Sequence, residues 1–307
     1  MVKLKMLKPG DRVGLVAPGS TFSREKFNAS IKALKKMGLV PVYGSHLFSR
    51  DFIFAGTVAQ RTKSLRAMLN RKDIKALWCV RGGSGSYAVA QAMAKDKKPK
   101  HVKMIIGMSD VTALHLLFIQ KWKWPVLHGP LFDRIGVKKV PTLEKAVLKK
   151  TLFDEKFRLK ITSGLKSFGK SGVATGELVG GNLVILASSL GSSWEVDTRG
   201  KILFLEEIGE RAYRLDRFLT QLESAGKFKH LRGVVIGDFT ECGEPDGRDL
   251  WKTVLKRHFG KSKVPCLMGV RSGHGSIRLT LPLGVKVRIN TGIKKSFEVI
   301  EGFGRGV

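Results

Sequence analysis

Met104-Ile105-Ile106-Gly107-Met108-Ser109-Asp110-Val111, followed by an apolar-periodic stretch to Phe118, is the segment on which the fold turns. Three apolar residues suited to a buried strand break at Gly107, and the chain runs straight into a helical pattern. A hydroxyl on such a strand-to-helix corner is lifted clear of the backbone. The first helical N–H groups beside it point toward negative charge that develops on an attacked carbonyl. On these residues alone Ser109 is open to two readings, a nucleophile or a helix cap with Asp110 helping the dipole. The spacing Gly107-x-Ser109-x-Val111 is not the G-x-S-x-G elbow of the common hydrolases.

Upstream, the same alternation of strand and helix repeats. Residues 12–17 form an apolar strand closed by Pro18-Gly19-Ser20. Ser23 can cap a helix whose Phe27, Ile31, Leu34 and Met37 share a face, and Gly38 stops it. A strand at 39–43, a helix at 58–69, a strand at 74–80 and a helix at about 87–94 follow, and 125–127 begins a further strand. Short apolar strands separated by amphipathic helices mean a parallel sheet covered on both faces. Sites in such sheets lie at the carboxyl ends of the strands, where Arg81-Gly82-Gly83 and Ser109 both fall.

From about residue 150 the texture changes. Strand-like stretches at 157–162, 174–179, 202–206, 233–237, 285–290 and 296–299 are separated by glycine-rich turns, with helices at 182–190 and 213–225. The fold class expected is α/β. A flavodoxin-like parallel-sheet domain spans 1–150, a linker region 151–172 is centred on the glycine-rich run 164–172, and a β-rich, barrel-like α+β domain spans 173–307.

Two more segments look built to present chemistry. Ile202-Leu203-Phe204-Leu205-Glu206-Glu207 is a buried-strand pattern ending in carboxylates, and Ser272-Gly273-His274-Gly275 sets a histidine between glycines on a loop. Adjacent strand residues point to opposite sides, so at most one of Glu206 and Glu207 faces a given site. Either could instead be a solvated strand end or a partner of Arg211, Arg214 or Arg217. The glycines give no packing reason for the imidazole of His274, and histidine is the residue type whose unperturbed pKa suits a base at neutral pH. A serine needs a base and the base an orienting acid, so the three segments together fit a Ser-His-Glu triad. Gly82 and Gly83 allow close backbone approach to a substrate. Gly82-Gly83-Ser84-Gly85 matches neither the phosphate-loop nor the dinucleotide pattern.

Composition bounds the partners. With 307 residues and 43% hydrophobic content, the chain fits two ordinary globular domains. The lysine-studded N-terminus lacks an apolar core of signal-peptide type, and no window reaches the roughly 18 apolar residues of a membrane span. The expectation is a cytoplasmic protein with no membrane insertion. Cys79, Cys242 and Cys266 show no C-x-x-C spacing and read as buried thiols. The net charge of +31 comes from scattered lysines, with no zinc finger, basic helix or aromatic-rich RNA signature. It implies general steering of anions rather than a dedicated nucleic-acid site.

Taken together, Lys8-Pro9-Gly10-Asp11, Ala17-Pro18-Gly19-Ser20, Arg81-Gly82-Gly83, Gly107-Met108-Ser109-Asp110, His128-Gly129-Pro130, Gly180-Gly181-Asn182-Leu183, Leu205-Glu206-Glu207 with Tyr213-Arg214-Leu215-Asp216-Arg217, and Gly273-His274-Gly275 with Leu281-Pro282-Leu283-Gly284 resemble the LD-carboxypeptidase family of serine peptidases. That family also contains the microcin C self-immunity peptidases. The resemblance implies Ser109 as nucleophile, Glu206 as triad acid and His274 as base, with the backbone N–H groups of Gly83 and Asp110 as the oxyanion hole. It implies a homodimer and no metal or other cofactor; Arg81, as a cation suited to a free terminal carboxylate, is expected at the substrate together with Gly82 and Asn182. Ser84 and Met108 stand where the family often has an aromatic. The substrate implied is the murein tetrapeptide or muropeptide, which loses its terminal D-alanine in wall recycling. Alternatives are a peptidase for aminoacyl- or peptidyl-nucleotide amides, which would want an aromatic such as Trp194 to stack on a base, and a non-catalytic murein-peptide binder.

Overall fold

The computed structural model describes residues 4–302. In the first half, β1 (Arg12–Val16), β2 (Val40–Val42), β3 (Ile74–Cys79), β4 (Met104–Gly107) and β5 (Val126–His128) run parallel in the order 2-1-3-4-5. This is the flavodoxin-like order, with its switch point between β1 and β3. β3 and β4 are buried almost throughout, as strands covered on both faces must be. The connecting helices include α1 (Arg24–Lys36), α2 (Val58–Asn70), α3 (Ser86–Met93) and α4 (Thr112–Leu117), with the short α5 (Phe132–Ile135) and α6 (Thr142–Phe153) after β5. α1 starts where Ser23 accepts a hydrogen bond from the Lys26 N–H and ends in Lys35 and Lys36 before Gly38, as expected. α2 opens on a capping box between Thr57 and Gln60.

The second half contributes β6 (Lys160–Ile161), β7 (Lys166–Gly169), β8 (Val173–Asn182), β9 (Ile202–Ile208), β10 (Gly233–Thr240), β11 (Pro265–Met268), β12 (Leu281–Leu283), β13 (Lys286–Asn290) and β14 (Ser296–Val299). Eight of them form a mixed sheet in the order 6-14-13-8-9-10-11-7, whose centre, β8 to β11, is parallel. α7 (Leu183–Ser188) and α8 (Ala212–Ser224) lie where expected, and α9 (Trp251–Phe259) adds a third helix.

Two features cross the expected division. The glycine-rich stretch 164–172 is not free chain: it carries β7, an edge strand paired antiparallel with β11. Gly164 and Gly169, with φ of +72° and +75°, turn the chain at either end of it. β12 leaves its own half and pairs antiparallel with β5, completing the first sheet. One apolar core accordingly runs without a break from Val16 and Leu114 to Leu203 and Val287.

The carboxyl ends of the two sheets meet. Gly181, at the end of β8, leaves no room for a side chain, because a Cβ there would lie 2.6 Å from Thr112 Oγ1. The next residue, Asn182, donates its backbone N–H to that hydroxyl at 3.1 Å. Asn182 also sits in register with Glu206 on β9. One hydrogen bond and one register step therefore tie the start of α4, three residues beyond Ser109, to Glu206.

Candidate active site

Ser109 sits between β4 and α4 with φ of +65°, in the left-handed region that costs a side-chain-bearing residue. A non-glycine residue held there at a strand-to-helix corner presents its Oγ outward. The side chain is partly exposed, and its Oγ has no hydrogen-bond partner among the described residues. The cap reading finds no support, since no capping hydrogen bond from Ser109 is present at either short helix.

Glu206 and His274 come together directly. His274 Nδ1 lies 2.7 Å from Glu206 Oε2, with the carboxylate fully buried and the imidazole nearly so. An ionised carboxylate only accepts, so Nδ1 carries the proton, and in the neutral imidazole that tautomer leaves the lone pair on Nε2. The glycines around His274 have a steric reason. A Cβ on Gly273 (φ +135°) would lie 2.9 Å from Glu206 Oε2, and one on Gly275 would lie 2.8 Å from the Asp238 carboxyl. Opposite Glu206, β10 bulges: Ile236 pairs with Leu205 and Phe239 with Glu207, so Gly237 and Asp238 together face Glu206. That bulge carries Asp238 to the histidine loop, where its N–H donates to Ser272 O at 3.0 Å. Burial, reinforced by the charge of Glu206, pushes the Asp238 carboxyl up to about 6.

The two adjacent carboxylates diverge as strand alternation requires. Glu207 points away from His274 and accepts from Asn182 Nδ2 at 2.8 Å, Val184 N at 2.9 Å and Ile208 N at 2.8 Å. Asn182, expected among the substrate-binding residues, is 6% exposed. Its amide is committed to Glu207, and its carbonyl oxygen caps α7 through Ile185 N. It stands beneath the site, holding β8, β9 and α7 together.

Gly82 lies against Ser109: a Cβ there would be 3.2 Å from Ser109 Oγ. Gly83 has φ of +81°, which favours glycine. Asp110 turns its carboxylate to the start of α3, accepting from Ser86 N at 2.8 Å. Burial pushes that carboxyl upward, against the pull of Ser86 and Arg61. Neither the Gly83 N–H nor the Asp110 N–H has an acceptor among the described residues.

Arg81 is exposed and bonded once to Asp133, at 3.1 Å. A second cation, Arg278, was not singled out from the sequence. Its Nε reaches Gly275 O at 3.4 Å, and burial lowers its pKa, with Asp133 and Glu206 pulling it back up. It follows the histidine loop directly, three residues after Gly275. Trp194 is 0% exposed, packed edge-on against Tyr87 with Nε1 bonded to Gln91 Oε1, so its ring offers no face for stacking. Among the described residues no three His, Cys, Asp or Glu side chains converge as metal ligands, and no helix is long and apolar enough to cross a membrane.

Residues 13–129 match the family model described as the LD-carboxypeptidase N-terminal domain, and residues 175–289 match the LD-carboxypeptidase C-terminal domain. The chain belongs to the LD-carboxypeptidase family. Its relatives in this family include a probable murein peptide carboxypeptidase of Bacillus subtilis, 34% identical over 296 residues that cover 95% of this chain and 92% of that one. Another is the murein tetrapeptide carboxypeptidase of Pseudomonas aeruginosa, 28% identical over 89% of this chain and 91% of that one. Among solved structures, the LD-carboxypeptidase fold seen here matches the microcin C7 self immunity protein with a TM-score of 0.87 at 22% identity, covering 99% of this chain and 100% of that one. It matches muramoyltetrapeptide carboxypeptidase from Oxalobacter formigenes with a TM-score of 0.80 at 23% identity, covering 95% and 99%.

Proposed function

We propose that this LD-carboxypeptidase removes the terminal D-alanine of murein tetrapeptides, with Ser109 as nucleophile, His274 as base and Glu206 as its orienting acid. The observation that carries the reading is the 2.7 Å bond from His274 Nδ1 to the buried Glu206, with a serine held at positive φ on the facing sheet end. Ser109 Oγ attacks the amide carbonyl and gives its proton to His274 Nε2. The negative charge on the former carbonyl oxygen is received by the N–H groups of Gly83 and Asp110. Collapse breaks the C–N bond, and His274 returns the proton to the leaving D-alanine nitrogen. Water, deprotonated by His274, then hydrolyses the ester on Ser109 and frees the tripeptide.

A carboxypeptidase must also read a free carboxylate, which calls for a cation that is not fully neutralised at home. Arg81, with a single bond to Asp133, fits that role, and Arg278 beside the histidine loop is its partner. The positive surface steers the anionic peptide toward the cleft. Two names among the relatives, murein peptide and murein tetrapeptide carboxypeptidase, support this substrate class. The nucleotide-amide alternative loses its stacking aromatic with the burial of Trp194.

The test is mass spectrometry of the free tetrapeptide and of the disaccharide tetrapeptide after incubation with wild type and with Ser109→Ala. Loss of one D-alanine with wild type alone is the expected result, and an unchanged substrate with both proteins overturns the reading. We further expect a homodimer that acts on wall fragments inside the cell, checked by light scattering on the eluting protein and by cell fractionation.

A further inference from the structure

The switch point of the first sheet places two loops side by side: residues 18–20 after β1 and residues 81–85 after β3. Ser20 joins them at three points. Its N–H donates to Gly82 O at 3.0 Å, its Oγ accepts from the Ser84 N–H at 3.0 Å, and the same hydroxyl lies 3.4 Å from Ser84 O. The residue between those anchors is Gly83.

The consequence is fixed by peptide geometry. No cis peptide bond is present among the described residues, so the Gly83 N–H points opposite to the Gly82 carbonyl on the shared peptide plane. With that carbonyl turned to Ser20, the Gly83 N–H faces away from the 18–20 loop, on the peptide whose first Cα lies against Ser109. A Cβ on Gly83 would collide with the Ser20 side chain, so the turn that Ser20 clamps has room only for glycine at this position. Gly19, beside it, has no room for a side chain either, because a Cβ there would lie 2.7 Å from Asp110 Oδ2.

A buried arginine anchors the same strap. Arg61 on α2 is 4% exposed and donates to three backbone carbonyls: Pro18, Gly85 at 2.8 Å and Gly56 at 2.9 Å. It therefore ties the loop before Ser20 to the loop that carries Gly83. It does so without a carboxylate hydrogen-bonded to it.

We propose that Ser20 is a positioning residue for the oxyanion hole, acting through the Gly82–Ser84 turn to aim the Gly83 N–H, with Arg61 as the anchor of that clamp. The proposal rests on the reading of Ser109 as nucleophile. Ser20 itself touches no reacting atom. Loss of its hydroxyl frees Ser84 and leaves the Gly82–Gly83 peptide held by the Ser20 N–H alone, so the aim of the Gly83 N–H loosens and stabilisation of the transition state falls while ground-state binding does not.

The experiment measures the rate at which a fluorophosphonate modifies Ser109, followed by intact mass, in wild type, Ser20→Ala and Ser109→Ala. This reaction needs the nucleophile, the base and the oxyanion hole but no particular peptide. Tetrapeptide affinity is measured by calorimetry in Ser109→Ala with and without Ser20→Ala. The expected result is modification slowed roughly 10- to 100-fold in Ser20→Ala, somewhat less than deletion of an oxyanion donor, with peptide affinity and melting temperature unchanged. Equal rates in wild type and Ser20→Ala overturn the clamp. So does a parallel loss of affinity or of melting temperature, which would give Ser20 a binding or folding role. A wild type that is not modified at Ser109 removes the nucleophile and the clamp with it. A wild type that is modified but leaves the tetrapeptide intact refutes only the substrate, and the clamp is then judged on modification rates and melting temperature.

Discussion

Gly273 and Glu206 are in such close approach that a single added methyl would press on the carboxylate that orients His274, at 2.9 Å from Oε2 and 3.0 Å from Cβ. Gly273 also has φ of +135°, a conformation nearly closed to residues with a side chain. Gly273→Ala therefore strains the loop and displaces either the imidazole or its acid. We expect a folded protein whose kcat falls by roughly 100-fold or more, the usual consequence of misplacing a catalytic group by about 1 Å. Steady-state kinetics on the tetrapeptide checks this, and wild-type kcat in the variant would show that the loop has slack.

Glu206→Gln keeps the volume and a hydrogen-bonding group opposite His274 Nδ1 but removes the charge. The amide can turn its NH2 to the ring, which forces the proton onto Nε2, the nitrogen that in the proposed mechanism accepts from Ser109. The expected loss in kcat is roughly 10³- to 10⁴-fold, as for the corresponding acid-to-amide change in serine peptidases. Glu207→Gln, one residue away and facing Asn182, is expected to retain kcat within about a factor of 10, so the pair of variants assigns the acid. A larger loss with Glu207→Gln than with Glu206→Gln would reverse that assignment.

The backbone at Ser109 yields a stability test of its own. With φ of +65°, the residue is in a region where glycine is at ease and a Cβ is not. Ser109→Gly is expected to melt higher than Ser109→Ala, by the equivalent of roughly 1 kcal/mol. Both lack the proposed nucleophile, so the comparison isolates the elbow. Equal melting temperatures, or a lower one for glycine, would mean that the corner is not strained.

How much of this was legible follows from what each feature depends on. β3, β4 and β9 and the helices between the early strands are local patterns, and Met104 to Phe118 announced its corner because the apolar run, the glycine and the helical period lie within one window. His274 stood out through its glycines, yet the reason for them, the crowding of Glu206 and Asp238, exists only in three dimensions. The stretch 164–172 misled because glycine marks turns at the ends of an edge strand as readily as free chain. β12 is three residues long, and nothing in Leu281-Pro282-Leu283 says that it joins a strand from the other half of the molecule. Arg61 on α2 gave no signal and Ser20 showed only as part of the turn after β1, since the partners that give them a role, Gly85 and Ser84, are 24 and 64 residues away in the chain. α9 hid its buried Val254, Leu255 and Phe259 among lysine, arginine and histidine.

Glu207 makes the protein's stability respond to pH in a definite direction. Burial pushes its carboxyl up to about 7 and the charge of Glu206 adds to that, while the N–H donors of Ile208, Val184 and Asn182 pull against it. The folded state thus holds this proton more tightly than the unfolded chain, whose carboxyl titrates near the ordinary value of 4.5. The stabilisation linked to that proton is complete below about pH 4.5 and is lost as the pH rises through about 7. Glu207→Gln removes the titration. The melting temperature of wild type relative to Glu207→Gln should therefore fall between pH 5 and pH 8, by the equivalent of about 2 to 3 kcal/mol over the whole span. Calorimetric melts of both proteins at half-unit pH steps check it. A difference that stays flat would mean that the three donors hold Glu207 ionised throughout, and a difference that rises with pH would mean that they depress its pKa below 4.5.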